Sequence, residues 1–213
     1  MNETLKRALS GALYIAVMWF GASYSELTFN LLFTIILIVC LYEIWKLRKG
    51  KSKLMAFAYV IIPLLLIQLF VRSDSDYPEN SFDPAIVLIM FILTWTFDTF
   101  AYLFGIAFGK HKIMPSVSPK KSWEGYIGGF VFTIIAAYFT HQFFDQLALK
   151  TLMIISIVLP LTATVGDFIE SYYKREAGVK DSGNFIPGHG GMLDRMDAFL
   201  ITIPVIYIII NLL

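Results

Sequence analysis

A chain of 213 residues in which 57% of the side chains are hydrophobic and only 15% charged carries more apolar surface than a water-soluble domain of this length can bury, so that class is excluded. The formal net charge of +1 says little by itself, and no nucleic-acid partner is expected. What remains is a polytopic membrane protein with membrane lipids as its surroundings.

Seven apolar stretches follow one another, at 8–24, 27–45, 54–70, 84–104, 125–144, 151–173 and 198–213. Most approach the about 20 residues that a spanning helix needs, and the last gains length if its helix begins before Ala198. The expected fold class is therefore all-α, with about seven transmembrane helices. The first stretch is kept as a membrane helix, not a cleaved signal: its apolar core is long and no small-x-small site precedes a polar sequence. With the N-terminus in the cytoplasm, Lys6 and Arg7 and the cations of 46–53, 110–121 and 174–195 all fall on the cytoplasmic side, as the positive-inside rule requires. Only Arg72 and Lys150 lie opposite, and the loop at 71–83 carries Asp74, Asp76, Glu79 and Asp83 instead. Cys40 has no second cysteine to pair with and is expected to pack.

The chain has no linker or convincing repeat, so 1–213 is read as one membrane domain. Its first part, 1–83, holds few polar residues inside the helices apart from Glu43 near a helix end, and is read as scaffold. From Trp95 onward polar residues enter the helices, which places the chemistry in 84–213, because ionisable groups at membrane depth are costly and usually face a functional interior. In the fourth helix Trp95, Asp98, Thr99 and Tyr102 share one stripe. In the sixth, Asp167, Glu170, Ser171 and Lys174 repeat the i, i+3, i+4, i+7 spacing and are expected to point inward. The competing reading of both stripes is a helix end snorkelling into the interface.

Between the fourth and fifth helices lies a basic loop, GKHKIMPSVSPKKSWEG, in which Ser118, Lys120 and Lys121 flank a proline and Ser122 precedes Glu124 as a helix-start signature. The composition suits a phosphate-binding turn; plain positive-inside charge is the alternative. After the sixth helix comes a second mixed-sign loop. Lys174, Arg175, Lys180 and Arg195 crowd against Asp181, Asp194 and Asp197, with acids to hold a metal and bases to hold phosphates. Asp194 and Asp197, three residues apart at the start of the last helix, would share a face. Two such acids repel unless a cation or proton sits between them, and Mg²⁺ takes oxygen ligands while keeping some waters. Asp167 is placed to complete the set. The other reading of the pair is simple complementarity to a helix N-terminus. Gly188, Gly190 and Gly191 let the backbone approach an anion, and His189 among them is open to a phosphate-binding, acid–base or structural role.

The run SYYKREAGVKDSGNFIPGHGGMLDRMD from Ser171 to Asp197 resembles the signature of the phosphatidate cytidylyltransferase, or CDP-diacylglycerol synthase, family. It agrees in the Ser, Lys-Arg, Lys-Asp, Pro-x-His-Gly-Gly and Asp-Arg-x-Asp elements and their spacing. The upstream SPKKSWEG and the Gly166-Asp167 pair are similar to further family motifs, so the resemblance covers about 98–198. It implies Mg²⁺-dependent transfer of CMP from CTP to phosphatidic acid, yielding CDP-diacylglycerol and pyrophosphate. It also implies a homodimer in the bacterial inner membrane with its active site facing the cytoplasm. Asp167, Asp194 and Asp197 would then be the metal-centre acids, and Ser171, Lys174, Arg175, Lys180 and Asp181 would line the nucleotide and phosphate site. Two departures stand out: the N-terminal half is short and matches no quoted motif, and Phe100 stands where many members have glycine after the Asp-Thr pair. The rival readings are a CTP-dependent enzyme for another membrane phosphate, such as an isoprenoid or ether lipid, and a divalent-cation transporter, whose ligands belong near the membrane midplane.

Overall fold

The computed structural model describes residues 3–71, 82–186 and 190–213. Its helices, in order, are α1 (Glu3–Ser23), α2 (Glu26–Leu47), α3 (Leu54–Leu66, continued by a 3₁₀ segment Ile67–Val71), α4 (Ala85–Phe108), α5 (Trp123–Thr140), α6 (Leu149–Glu176) and α7 (Leu193–Leu212). The protein is thus an all-α polytopic membrane protein. Four of these elements, α2, α3 with its 3₁₀ extension, α4 and α6, are long and apolar enough to cross a bilayer. Large apolar side chains such as Leu13, Phe20, Leu27, Ile38, Ile62 and Ile106 are exposed on the helices. A water-soluble surface does not tolerate apolar exposure on that scale.

Local chemistry sets the helix starts. Ahead of α2, the Ser25 hydroxyl accepts from Thr28 N–H at 3.2 Å while Thr28 Oγ1 accepts from Ser25 N–H at 3.1 Å, a reciprocal cap. Ahead of α5, Ser122 Oγ accepts from Gly125 N–H at 3.2 Å, as the helix-start signature predicts. α7 has no cap from its own first residues, and the donors at its N-terminus are satisfied from elsewhere.

The basic loop before α5 contains secondary structure the helical reading left out. β1 (Lys112–Met114) and β2 (Ser118–Ser122) pair antiparallel in a small hairpin. Its base is tied to α5 by Glu124, whose carboxylate accepts from His111 N–H at 3.2 Å and meets His111 Nδ1 at 2.6 Å.

Glycine controls how closely the helices of 84–213 approach. A Cβ at Gly125 would lie 2.5 Å from Ala101 O and 3.0 Å from Gly105 Cα, and one at Gly129 would meet the Phe97 ring at 2.7 Å. α4 and α5 therefore touch backbone to backbone, the small-residue packing that membrane helices favour where no hydrophobic drive exists between them. Phe100 does not obstruct this contact. Its ring stacks on Phe132 at 3.7 Å, and the close approach falls at Gly105 and Gly125. α6 and α7 are joined by Thr162 and Thr202, whose hydroxyls lie 2.9 Å apart, and by Gly166, which packs against the carbonyl of Asp197. α3 joins α6 at the same level, where Tyr59 Oη donates to Gly166 O at 3.0 Å. The buried residues form one cluster running from Met18 to Ile206, so the helices of 1–83 pack into the same core as those of 84–213.

Candidate active site

The acids and bases singled out in the sequence gather where α4, α6, α7 and the hairpin meet, in two adjoining groups. In the first, the carboxyls of Asp167 on α6 and Asp197 on α7 stand close enough to act on each other. Lys121, from the last strand of the hairpin, places Nζ 2.8 Å from Asp167 Oδ2. That contact is an ion pair without hydrogen-bond geometry, so Asp167 Oδ2 is buried and has no directed donor. Asp98 on α4 stands close enough to act electrostatically on Asp197.

In the second group Lys174 is the hub. Its Nζ lies 2.5 Å from Glu170 Oε2 and 2.6 Å from Asp194 Oδ1. Glu170, Ser171 and Lys174 are all buried, so this part of the α6 stripe faces inward as its spacing predicts. The other oxygen of Asp194 accepts from Ser182 N–H at 2.9 Å and Gly191 N–H at 2.7 Å, and lies 3.0 Å from Ser182 Oγ. Both Asp194 oxygens are thus engaged by protein donors, whereas the Asp167–Asp197 pair has Lys121 beside Asp167 and shares a cavity lining with Arg195. Three residues on a helix turn a side chain by about 60°. Asp194 and Asp197 therefore line the same cavity yet point to different partners.

Asp98 stands between two cavities. One of about 490 Å³ lies under the hairpin, lined by Lys112, Lys120, Lys121, Phe97 and Tyr126. The other, of about 260 Å³, is lined by Tyr14, Trp95, Asp194, Arg195 and Asp197. Ser118 is half-buried in β2 beside the exposed Lys120. Arg175, Lys180 and Asp181 are exposed at the rim; Arg175 donates to Val179 O at 2.8 Å and shapes the loop after α6. Gly190 adopts φ +83°, a conformation that favours glycine, and its carbonyl accepts from Ile186 N–H at 3.0 Å. His189 lies outside the described residues.

Two buried acids belong to this region that the motif reading did not include. Glu170 completes the Lys174 hub. Glu43, on α2, reaches the start of α7. The signal for Glu170 was its place on the α6 stripe, and for Glu43 an acid inside an otherwise apolar helix.

Mg²⁺ takes oxygen donors of the kind gathered here. Among the described residues no three His, Cys, Asp or Glu side chains converge into a ready-made cage. Mg²⁺ does not require one: it is commonly held by one or two carboxylates with waters and substrate phosphates. Two adjacent carboxyls, one with a buried oxygen lacking a directed donor, fit that pattern.

Comparison with known proteins agrees with the motifs. The sequence model of the cytidylyltransferase family matches residues 8–213. The chain belongs to the cytidylyltransferase family. Its membership extends well beyond 98–198, and the N-terminal helices are included. Similar curated relatives are the phosphatidate cytidylyltransferases of Staphylococcus saprophyticus, 40% identical, and of Staphylococcus haemolyticus and Staphylococcus aureus, each 39% identical, all over 158 residues and 74% of this chain. The matched segment spans 57% of the length of each relative. The Ser171–Asp197 run and the SPKKSWEG run supply Lys121, Lys174, Asp194 and Asp197 to the two groups of charges, and Asp98, Asp167 and Glu170 join them from outside those runs.

Proposed function

We propose that the protein transfers CMP from CTP to phosphatidic acid, releasing pyrophosphate and forming CDP-diacylglycerol. The observation that carries this reading is the meeting of Asp167 and Asp197 beside Lys121: a pair of acids suited to a divalent ion, next to cations suited to phosphate. The names and identities of the staphylococcal relatives support the same activity.

In the proposed reaction a phosphate oxygen of phosphatidic acid attacks the α-phosphorus of CTP in line. One P–O bond forms to the lipid phosphate, the α–β P–O bond breaks, and pyrophosphate leaves with its electron pair. The attacking group is a phosphate monoester, already largely ionised near neutral pH, so no strong base is required of the protein. The chain contributes binding, orientation and charge. Asp167 and Asp197 would hold Mg²⁺, and Asp98 adds negative charge beside them. When bound, Mg²⁺ would neutralise charge on the phosphates and shield the two anionic substrates from each other. Lys121, released from Asp167, and Lys120 and Lys112 on the hairpin would engage phosphate oxygens. Arg195 would do the same from the second cavity. Asp194, held by Lys174, Ser182 and Gly191, fixes the start of α7 and hence the position of Asp197.

The proposal also places the enzyme in the bacterial inner membrane as a homodimer of seven-span protomers with the site facing the cytoplasm. The distribution of Lys and Arg along the chain supports this orientation, and the dimer follows the family resemblance. The test is purified protein in detergent with CTP, phosphatidic acid and Mg²⁺, scored for pyrophosphate release. Release that is lost on chelation and restored by Mg²⁺ is the expected result. Release that is absent with phosphatidic acid but present with an isoprenoid phosphate would transfer the reading to another lipid acceptor.

A further inference from the structure

Glu43 is 4% exposed, and it comes from the N-terminal half that the sequence marks as scaffold. Its carboxylate accepts from Met192 N–H at 3.0 Å and from Leu193 N–H at 2.8 Å. These are the donors that α7 leaves unsatisfied, since no side chain of its own caps it. A third bond comes from Ser182 Oγ at 2.8 Å. That same hydroxyl stands 3.0 Å from Asp194 Oδ2, so Ser182 links the Glu43 carboxylate to the Asp194 carboxylate.

The backbone around Glu43 is shaped to admit it. A Cβ at Gly183 would lie 2.5 Å from Glu43 Oε1, and one at Gly191 would lie 2.5 Å and 2.6 Å from its two oxygens. A buried carboxylate is costly unless its oxygens are satisfied, and here two glycines and three donors are arranged about it. A negative charge at a helix N-terminus is also where the macrodipole favours one.

We infer that Glu43 is a positioning residue for the transfer reaction, holding the start of α7 and Ser182 so that Asp194 and Asp197 sit at working distance from Asp167 and Lys174. The inference rests on the transferase reading above. The bonds Glu43 makes run to Ser182 and to the backbone of Met192 and Leu193, none of which lines either cavity, so its loss should reach the chemistry through geometry.

The experiment compares wild type with Glu43→Gln, Ser182→Ala and the double variant, purified in detergent. Each is measured for kcat, for KM toward CTP and phosphatidic acid, and for hydrogen exchange at Met192 and Leu193. An amide retains one acceptor oxygen but turns an NH₂ toward backbone donors, so Glu43→Gln breaks the cap at nearly constant volume. The expected result is a kcat lowered about 10- to 100-fold, as a misplacement near 1 Å produces. Both KM values should change less than kcat, because Lys112, Lys120 and Lys121 stand on the hairpin and not on α7. Exchange at Met192 and Leu193 should be faster. The double variant should lose less than the product of the single losses, because both changes act on one linkage. Wild-type kcat in Glu43→Gln, or a raised KM with kcat retained, would overturn the inference. If Glu43→Gln does not accumulate as folded protein, Ser182→Ala decides: a lowered kcat with unchanged KM supports the role, and an unchanged kcat refutes it. Wild-type protein without CMP transfer would instead retire the transferase reading, while faster exchange at Met192 and Leu193 would still report the cap.

Discussion

Replacing Lys174 by Met tests the buried hub directly. In the native protein one ammonium lies 2.5 Å from Glu170 Oε2 and 2.6 Å from Asp194 Oδ1, with side-chain exposures of 11%, 0% and 7% for Lys174, Glu170 and Asp194. Methionine keeps the stem's volume and removes the charge, leaving two adjacent buried acids without their shared cation. Breaking a buried ion pair by deleting one partner costs about 3–5 kcal/mol. At about 2–4 °C per kcal/mol for a chain of this length, the thermal transition in detergent should fall by roughly 6–20 °C. The double variant Glu170→Gln/Lys174→Met should recover part of that loss, because removing one carboxylate together with the lysine leaves a smaller charge imbalance. A transition within about 2 °C of wild type for Lys174→Met, which is under 1 kcal/mol, would refute the claim that Lys174 neutralises two buried acids.

Gly125→Ala should force α4 and α5 apart, since its Cβ would meet Ala101 O at 2.5 Å; overpacking of this kind costs about 1–3 kcal/mol and is read from the same thermal transition. Thr202→Val removes the Thr162–Thr202 bond between α6 and α7 and should cost only about 0.6 kcal/mol, the average for interhelical bonds in membranes. Lys121→Gln removes the cation paired with Asp167. Divalent-ion binding measured without nucleotide should tighten by up to about fivefold, the equivalent of a partly exposed ion pair worth about 1 kcal/mol. Turnover should nevertheless fall, because a phosphate-binding cation is lost.

Much of this arrangement is legible where the signal is local. The inward face of Glu170, Ser171 and Lys174 follows from helical spacing, and the cap at Ser122 from its neighbours. The hairpin is not legible as strands because Lys112 pairs with Ser122 across a loop whose cations and proline read as a turn. The different partners of Asp194 and Asp197 depend on Ser182 and Gly191, which lie in a loop whose path no periodicity specifies. Glu43 is the clearest case. Its partners Met192 and Leu193 are 149 and 150 residues away, and nothing in its own helix announces that an acid among apolar residues caps a helix at the other end of the chain.

The central claim is that Asp167 and Asp197 together hold a divalent ion. Mn²⁺ binding followed by electron paramagnetic resonance in the presence of CTP, in wild type and in Asp167→Asn and Asp197→Asn, tests it most directly. The account predicts stoichiometric binding to the wild type and a loss of at least about tenfold in affinity, or 1.4 kcal/mol, in each variant. Unchanged Mn²⁺ affinity in both variants would contradict it.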